Sequence, residues 1–226
     1  MRFLIFLISA AACFNTTANE HKIFLGFGEL PILANSLKPS LGYVYDFGAV
    51  ELSINLQFKD TLNRNNESYN ANFGQHGLES SKEQTKNRYM IQGRFPIYTS
   101  KFYLSLGLIY GGNDIEKIIF NHRQRLIGND EYLTSLNVNI ERKARLKPAL
   151  GLGISYPITH QWRFISDFTM AWYGNIPKPK VTIRSSASLA PSDTNALVQD
   201  IQHNYRTNFH NRYHVFNLGV EYFFNL

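Results

Sequence analysis

The sequence predicts an all-β protein: an eight-stranded antiparallel up-and-down transmembrane β-barrel. Three observations carry the prediction. Apolar residues recur at every second position through segments of about ten residues, as expected of strands that touch lipid on one face only. Those segments are joined alternately by short turns and long polar stretches. No run of about 18 apolar residues occurs, which excludes a helical membrane protein, and the mean hydropathy of −0.25 fits a chain in which only alternate strand residues are apolar.

The last segment, Arg212 to Leu226, alternates most plainly. Phe216, Leu218, Val220, Tyr222, Phe224 and Leu226 fall on one side of an extended chain, and Val215, Asn217, Gly219, Glu221, Phe223 and Asn225 on the other. Earlier strands follow the same rule. His21 to Gly28 is the first, and Pro31 and Pro39 mark Glu29 to Pro39 as a loop. Ser40 to Asp46 directs Leu41, Tyr43 and Tyr45 outward. A turn at Phe47-Gly48 leads into Ala49 to Phe58, where Val50, Leu52, Ile54, Leu56 and Phe58 alternate with Glu51, Ser53, Asn55 and Gln57. The polar face of that strand must be solvated or hydrogen-bonded inside something.

Lys59 to Lys86, rich in Asn and Ser, reads as a surface loop. Asn87 to Phe95 and Lys101 to Gly111 are strands around a tight turn at Pro96 to Ser100, with Phe102, Leu104, Leu106, Leu108 and Tyr110 outward. Within Asn113 to Lys147, Ile118 to Leu126 and Tyr132 to Ile140 alternate about Gly128-Asn129-Asp130, which predicts a hairpin projecting beyond the membrane. Pro148 to Tyr156 sets Leu150, Leu152, Ile154 and Tyr156 outward and Ala149, Gly151, Gly153 and Ser155 inward. After a turn at Pro157 to Gln161, Trp162 to Tyr173 carries an outward face bracketed by Trp162 and Trp172, as suits rings at headgroup depth. Gly174 to Asn211, with three prolines, reads as the last long loop.

The start of the chain predicts export. Arg2, the apolar run Phe3 to Ala12 and the small and polar segment ending Thr16-Thr17-Ala18 fit a cleaved signal peptide over residues 1–18, leaving 19–226 as a barrel with four long extracellular loops. Cys13, after Ala10-Ala11-Ala12, raises lipidation as the alternative, although such sites normally carry Leu three residues upstream. Cleavage after Ala18 removes the only cysteine, and with it any disulfide or thiol chemistry. The formal charge of +6 is spread out with no block of like charges, which argues against a nucleic-acid partner.

This pattern of turns, the segment L-G-L-G-I-S-Y-P-I-T-H-Q-W-R-F from Leu150 to Phe164, and the terminal strand resemble the small eight-stranded outer-membrane barrels, the superfamily of opacity-type surface antigens and of outer-membrane proteins X, W and A. The terminal strand is also similar to the sorting signal of that class, with Leu226 where Phe is usual. The resemblance implies residence in the outer membrane, contact with its lipid and lipopolysaccharide, delivery by the barrel assembly machinery through the C-terminal strand, and host surface components as further partners.

Inward-facing candidates are Lys22, Glu51, Arg88, Arg94, Arg163, Asp167 and Glu221. Both signs are present, and an eight-stranded barrel is about wide enough for its own side chains, so Glu51, Arg94, Arg163, Asp167 and Glu221 read as a structural polar network and not a conducting lining. The resemblance also requires a test for lipid A-modifying enzymes. No His-x-Ser motif of the deacylase kind occurs, and Ser166-Asp167 and Ser192-Asp193 are reversed relative to the palmitoyltransferase pattern. His210 and His214 would stand about 13 Å apart on one strand, and with His203 they read as surface histidines. No catalytic residue, metal or cofactor is therefore predicted. The expected function is a non-enzymatic surface, adhesion or envelope-interaction protein, with a porin-like transport barrel for hydrophobic or small polar solutes as the alternative.

Overall fold

A computed structural model describes residues 20–28, 37–60, 64–66, 79–97, 101–172, 178–208 and 212–224. The expected signal peptide, Cys13, most of the first loop, His210 and Leu226 lie outside the described residues. Within the described residues the strands are β1 (Glu20–Gly28), β2 (Lys38–Asp46), β3 (Glu51–Gln57), β4 (Arg64–Asn66), β5 (Glu79–Gln84), β6 (Arg88–Pro96), β7 (Phe102–Gly111), β8 (Ile115–Ile127), β9 (Asp130–Glu141), β10 (Arg145–Pro157), β11 (Trp162–Trp172), β12 (Lys180–Ser185) and β13 (Arg212–Phe224), with one helix, α1 (Pro191–Asn208).

The order β1-β13-β11-β10-β7-β6-β3-β2 closes on itself, so the structure has the predicted eight-stranded antiparallel barrel. β1 and β13 join first strand to last, with Leu25 opposite Val220 and Gly26 opposite Gly219. Closure leaves no strand edge within the wall, the condition for placing backbone in hydrocarbon. The outward faces fall as the alternation predicts: Ile91, Leu106 and Leu152 are about half exposed, at 53%, 47% and 49%. Val50 departs from the expected third strand. Phe47 N–H donates to Val50 O at 2.9 Å, so Val50 belongs to the turn and β3 begins at Glu51.

The long connections depart further from the reading as loops. β12, β9, β8, β5 and β4 form a second, five-stranded sheet beyond the barrel. Its centre is the predicted β8–β9 hairpin, turning at Gly128, whose φ of +63° suits a residue without Cβ. The segments Lys59–Lys86 and Gly174–Asn211, expected to be loops, instead contribute β4, β5, β12 and α1. Strand pairing supplies the reason: β5 lies on β8 with Ser81 opposite Ile118, and β12 on β9 with Ile183 opposite Val138. The helix opens with Pro191, a residue suited to the first helical position, and carries Asp193 in its first turn. It buries Leu197 and Ile201 on Ile118, Phe120, Ile127, Leu136, Val138 and Ile140, a small core separate from the barrel.

The wall generates the first prediction. Ile54 sits mid-strand between Tyr43 and Ile91 and faces outward, half exposed. Ile54→Arg should cost about 2–4 kcal/mol in urea titrations of vesicle-refolded protein, because a cation there faces acyl chains. Thr182→Arg, on the exposed side of the second sheet, should cost nothing measurable.

Candidate functional site

The lumen is layered from the short-turn end toward the long-loop end. At the short-turn end Lys22 Nζ lies 2.8 Å from Asp46 and 2.5 Å from Glu51, and Arg163 Nη1 is 3.5 Å from the same Glu51 carboxylate. Arg94 Nη1 pairs with Glu221 and stands 3.9 Å from Glu51. The register explains the meeting: Glu51 faces Arg94 across β3–β6, and Glu221 faces both Arg163 and Phe24. Lys22 and Arg163 also lie over the ring of Phe223, at 4.9 and 4.4 Å.

The next layer is neutral apart from one carboxylate. Tyr103 Oη donates to Asp167 at 3.1 Å, Thr169 Oγ1 donates to the same carboxylate at 2.6 Å, and Gln92 Nε2 donates to Thr169 at 2.9 Å. Gly153 makes this possible, since a Cβ there would stand 2.1 Å from the Tyr103 ring. Ser40 and Gln57 donate to Asn217 at 3.0 and 3.1 Å. Rimward of Gln92, Thr169 and Asn217 on their own strands, Met90, Ala171 and Val215 join Ile109 and Ala149 in a buried apolar layer.

At the long-loop rim Arg88 Nη2 lies 2.5 Å from Asp114, which also accepts Lys86 N–H at 2.9 Å. Burial pushes the Asp114 carboxyl up, but the Arg88 guanidinium, its hydrogen bond, Arg142 and the Lys86 amide outweigh that and hold it below the usual aspartate value.

Of the residues read from sequence, the structure brings Glu51, Arg94, Arg163 and Glu221 into one ionic web. Asp167 sits one layer away, bound to Tyr103. Sequence reasoning does not find Asp46, Tyr103 or Phe223 as members. Tyr103 carries a signal, since it occupies the inward register of β7 opposite Gly153; Asp46 closes a strand just before a turn, a place that by itself points to no lumen role. Both aspartates of the Ser-Asp pairs are occupied structurally, Asp167 as above and Asp193 by Tyr132 Oη at 2.8 Å. Among the described residues no group of His, Cys, Asp and Glu has metal-site geometry, and His214 stacks on Phe168 at 5.5 Å.

The outer wall carries aromatic residues at both ends. Trp162 and Tyr222 (4.9 Å) and the His21, Tyr43 and Tyr45 group lie at the short-turn end, and Tyr89 and Tyr110 (6.2 Å) at the other. An apolar band between two such girdles on a closed barrel is a bilayer-spanning surface. Solved structures agree. CarO of Acinetobacter baumannii superposes with a TM-score of 0.57 at 12% identity, covering 93% of this chain and 100% of that one. The fold is that of a small outer-membrane β-barrel. Acinetobacter baumannii CarO2 (0.59, 10% identity, 91% of this chain and 99% of that one) and a major outer membrane protein of Thermus thermophilus (0.52, 13%, 92% and 100%) share it. No family model matches the chain, and no curated protein sequence matches it.

Two predictions concern this outer-membrane barrel. Arg94→Met leaves Glu221 and Glu51 buried with less countercharge and should cost about 3–5 kcal/mol in urea titrations in lipid vesicles, while adding Glu221→Gln should recover part of the loss. The rim pair adds a pH dependence. Because Asp114 is depressed in the folded state, its contribution is complete above the ordinary aspartate pKa near 3.8 and is lost as pH falls below that, through the folded value. Stability measured from pH 7 down to pH 2 should therefore fall less steeply at the acid end in Asp114→Asn than in wild type.

Proposed function

We propose that the protein is a non-enzymatic, non-conducting surface protein of the outer membrane, with its long-loop end outside, presenting the five-stranded sheet and α1 to a host or envelope component. The observation that carries this reading is the occupied lumen. Lys22 and Phe24 of β1, Arg94 and Met90 of β6, and Tyr103 and Ile109 of β7 are each at most 4% exposed, so ionic, hydrogen-bonded and apolar layers follow one another along the axis. An axial path would require opening each in turn, with its buried charges separated from their partners. The outer sheet supports the second half of the reading, since a separate core is unnecessary for crossing a membrane but suits a rigid binding surface. The alternating apolar face of β13 supports delivery by the barrel assembly machinery.

In planar bilayers the refolded protein should give no stepwise conductance, and protease added to intact cells should cut beyond the long-loop rim while sparing the Phe47-to-Val50 turn. Steady single-channel openings would favour the transport alternative. Cleavage at the short turns alone would reverse the orientation.

A further inference from the structure

On the outside of the barrel, where the wall meets the foot of the second sheet, lies an open groove of about 420 Å³ lined by Lys59, Lys86, Asn87, Tyr89, Tyr110 and Asn113, among others. Topology brings its two cations together. The β3–β6 pairing ends with Gln57 opposite Arg88; Lys59 follows β3 by two residues, Lys86 precedes β6 by two, and both line the groove. Lys59 N–H donates to Asn87 Oδ1 at 2.8 Å, which holds the two chain segments together there. Among the described residues neither ammonium has an ion-pair partner; Lys86 Nζ donates to the neutral Gln84 at 3.1 Å. The neighbouring acids are engaged elsewhere, Asp114 by Arg88 and Asp60 by Leu37 N–H at 3.0 Å.

Below the lysines, Tyr89 and Tyr110 are cross-strand partners facing outward, 49% and 46% exposed, and below them come Ile91 and Leu108 of the apolar band. The groove thus brings lysines together with phenols, and aliphatic side chains follow the phenols along the wall. That is the polarity profile of an anionic amphiphile standing in the membrane, with its charge at the interface and its chains below.

We propose that this groove binds a phosphomonoester of an outer-leaflet phosphoglycolipid, with the Lys59 and Lys86 ammoniums donating to its oxygens and Tyr89 and Tyr110 flanking the head group. A phosphomonoester carries about −1.5 to −2 charges near neutrality and so matches two lysines, whereas a phospholipid diester carries one. The assignment rests on the long-loop end facing outside; intact-cell proteolysis tests that orientation separately from the binding measured here.

The test is native mass spectrometry of the full refolded chain in detergent, titrated with bisphosphorylated lipid A, dephosphorylated lipid A and phosphatidylglycerol. Wild type should retain bisphosphorylated lipid A at least roughly tenfold more tightly than either other lipid, as expected for charge-assisted hydrogen bonds. The Lys59→Ala/Lys86→Ala pair should lose that preference. Lys180→Ala, on the second sheet, should keep it. Heat-dependent gel mobility checks folding of the double variant, with Lys59→Gln/Lys86→Gln taking its place if it does not fold. Equal retention of the three lipids, an unchanged preference in the double variant, or displacement by equimolar inorganic phosphate would each overturn the proposal.

Discussion

Every backbone N–H and C=O that enters hydrocarbon must find its partner within the protein. That constraint organises this molecule. It requires β1 to meet β13, and eight strands closed in this way enclose a space about as wide as the side chains that point into it. Tyr103 therefore crosses the lumen only because β10 presents Gly153 opposite it, and the Phe24 ring lies where Cβ atoms on Gly26 and Gly219 would stand.

A narrow lumen decides how charge is carried inside. Lys22, Arg94 and Glu221 are fully buried or nearly so, and none could be held without an opposite charge in reach. Their arrangement is shared: Glu51 lies close to Lys22, Arg94 and Arg163 at once, so loss of one cation leaves the carboxylate partly compensated. The ionic web lies at the short-turn end and the apolar layer toward the other, so a solute entering from either side meets a different barrier.

Beyond the rim the constraint on the backbone relaxes and the chain does something else. Gly112 and Asn113, with φ of +137° and +57°, turn the path between β7 and β8, and a Cβ on Gly112 would stand 2.5 Å from Ala144. Past that point pairing continues with water available, and burial of Leu197 and Ile201 under α1 takes over as the organising force. The rim, where both regimes meet, concentrates Arg88, Asp114, Lys59 and Lys86.

Alternation is a local property, and the barrel was legible for that reason. A residue two positions from Leu104 faces lipid whichever strand lies beside it, so Leu106 and Leu108 could be assigned from their own strand alone, as could the inward positions of Glu51 and Glu221. The β8–β9 hairpin was legible because Gly128 separates two alternating runs. The helix was not: its buried stripe is essentially Leu197 and Ile201 in an otherwise polar segment, and its stability comes from a sheet that only folding assembles. The partnerships inside the lumen were equally hidden. Arg94 and Glu221 lie 127 positions apart, and Lys22 and Glu51, 29 apart, meet across the intervening β2. Which side a residue faces follows from the period of its own strand, but which charge it meets is decided by closure and register, and those exist only in the assembled barrel.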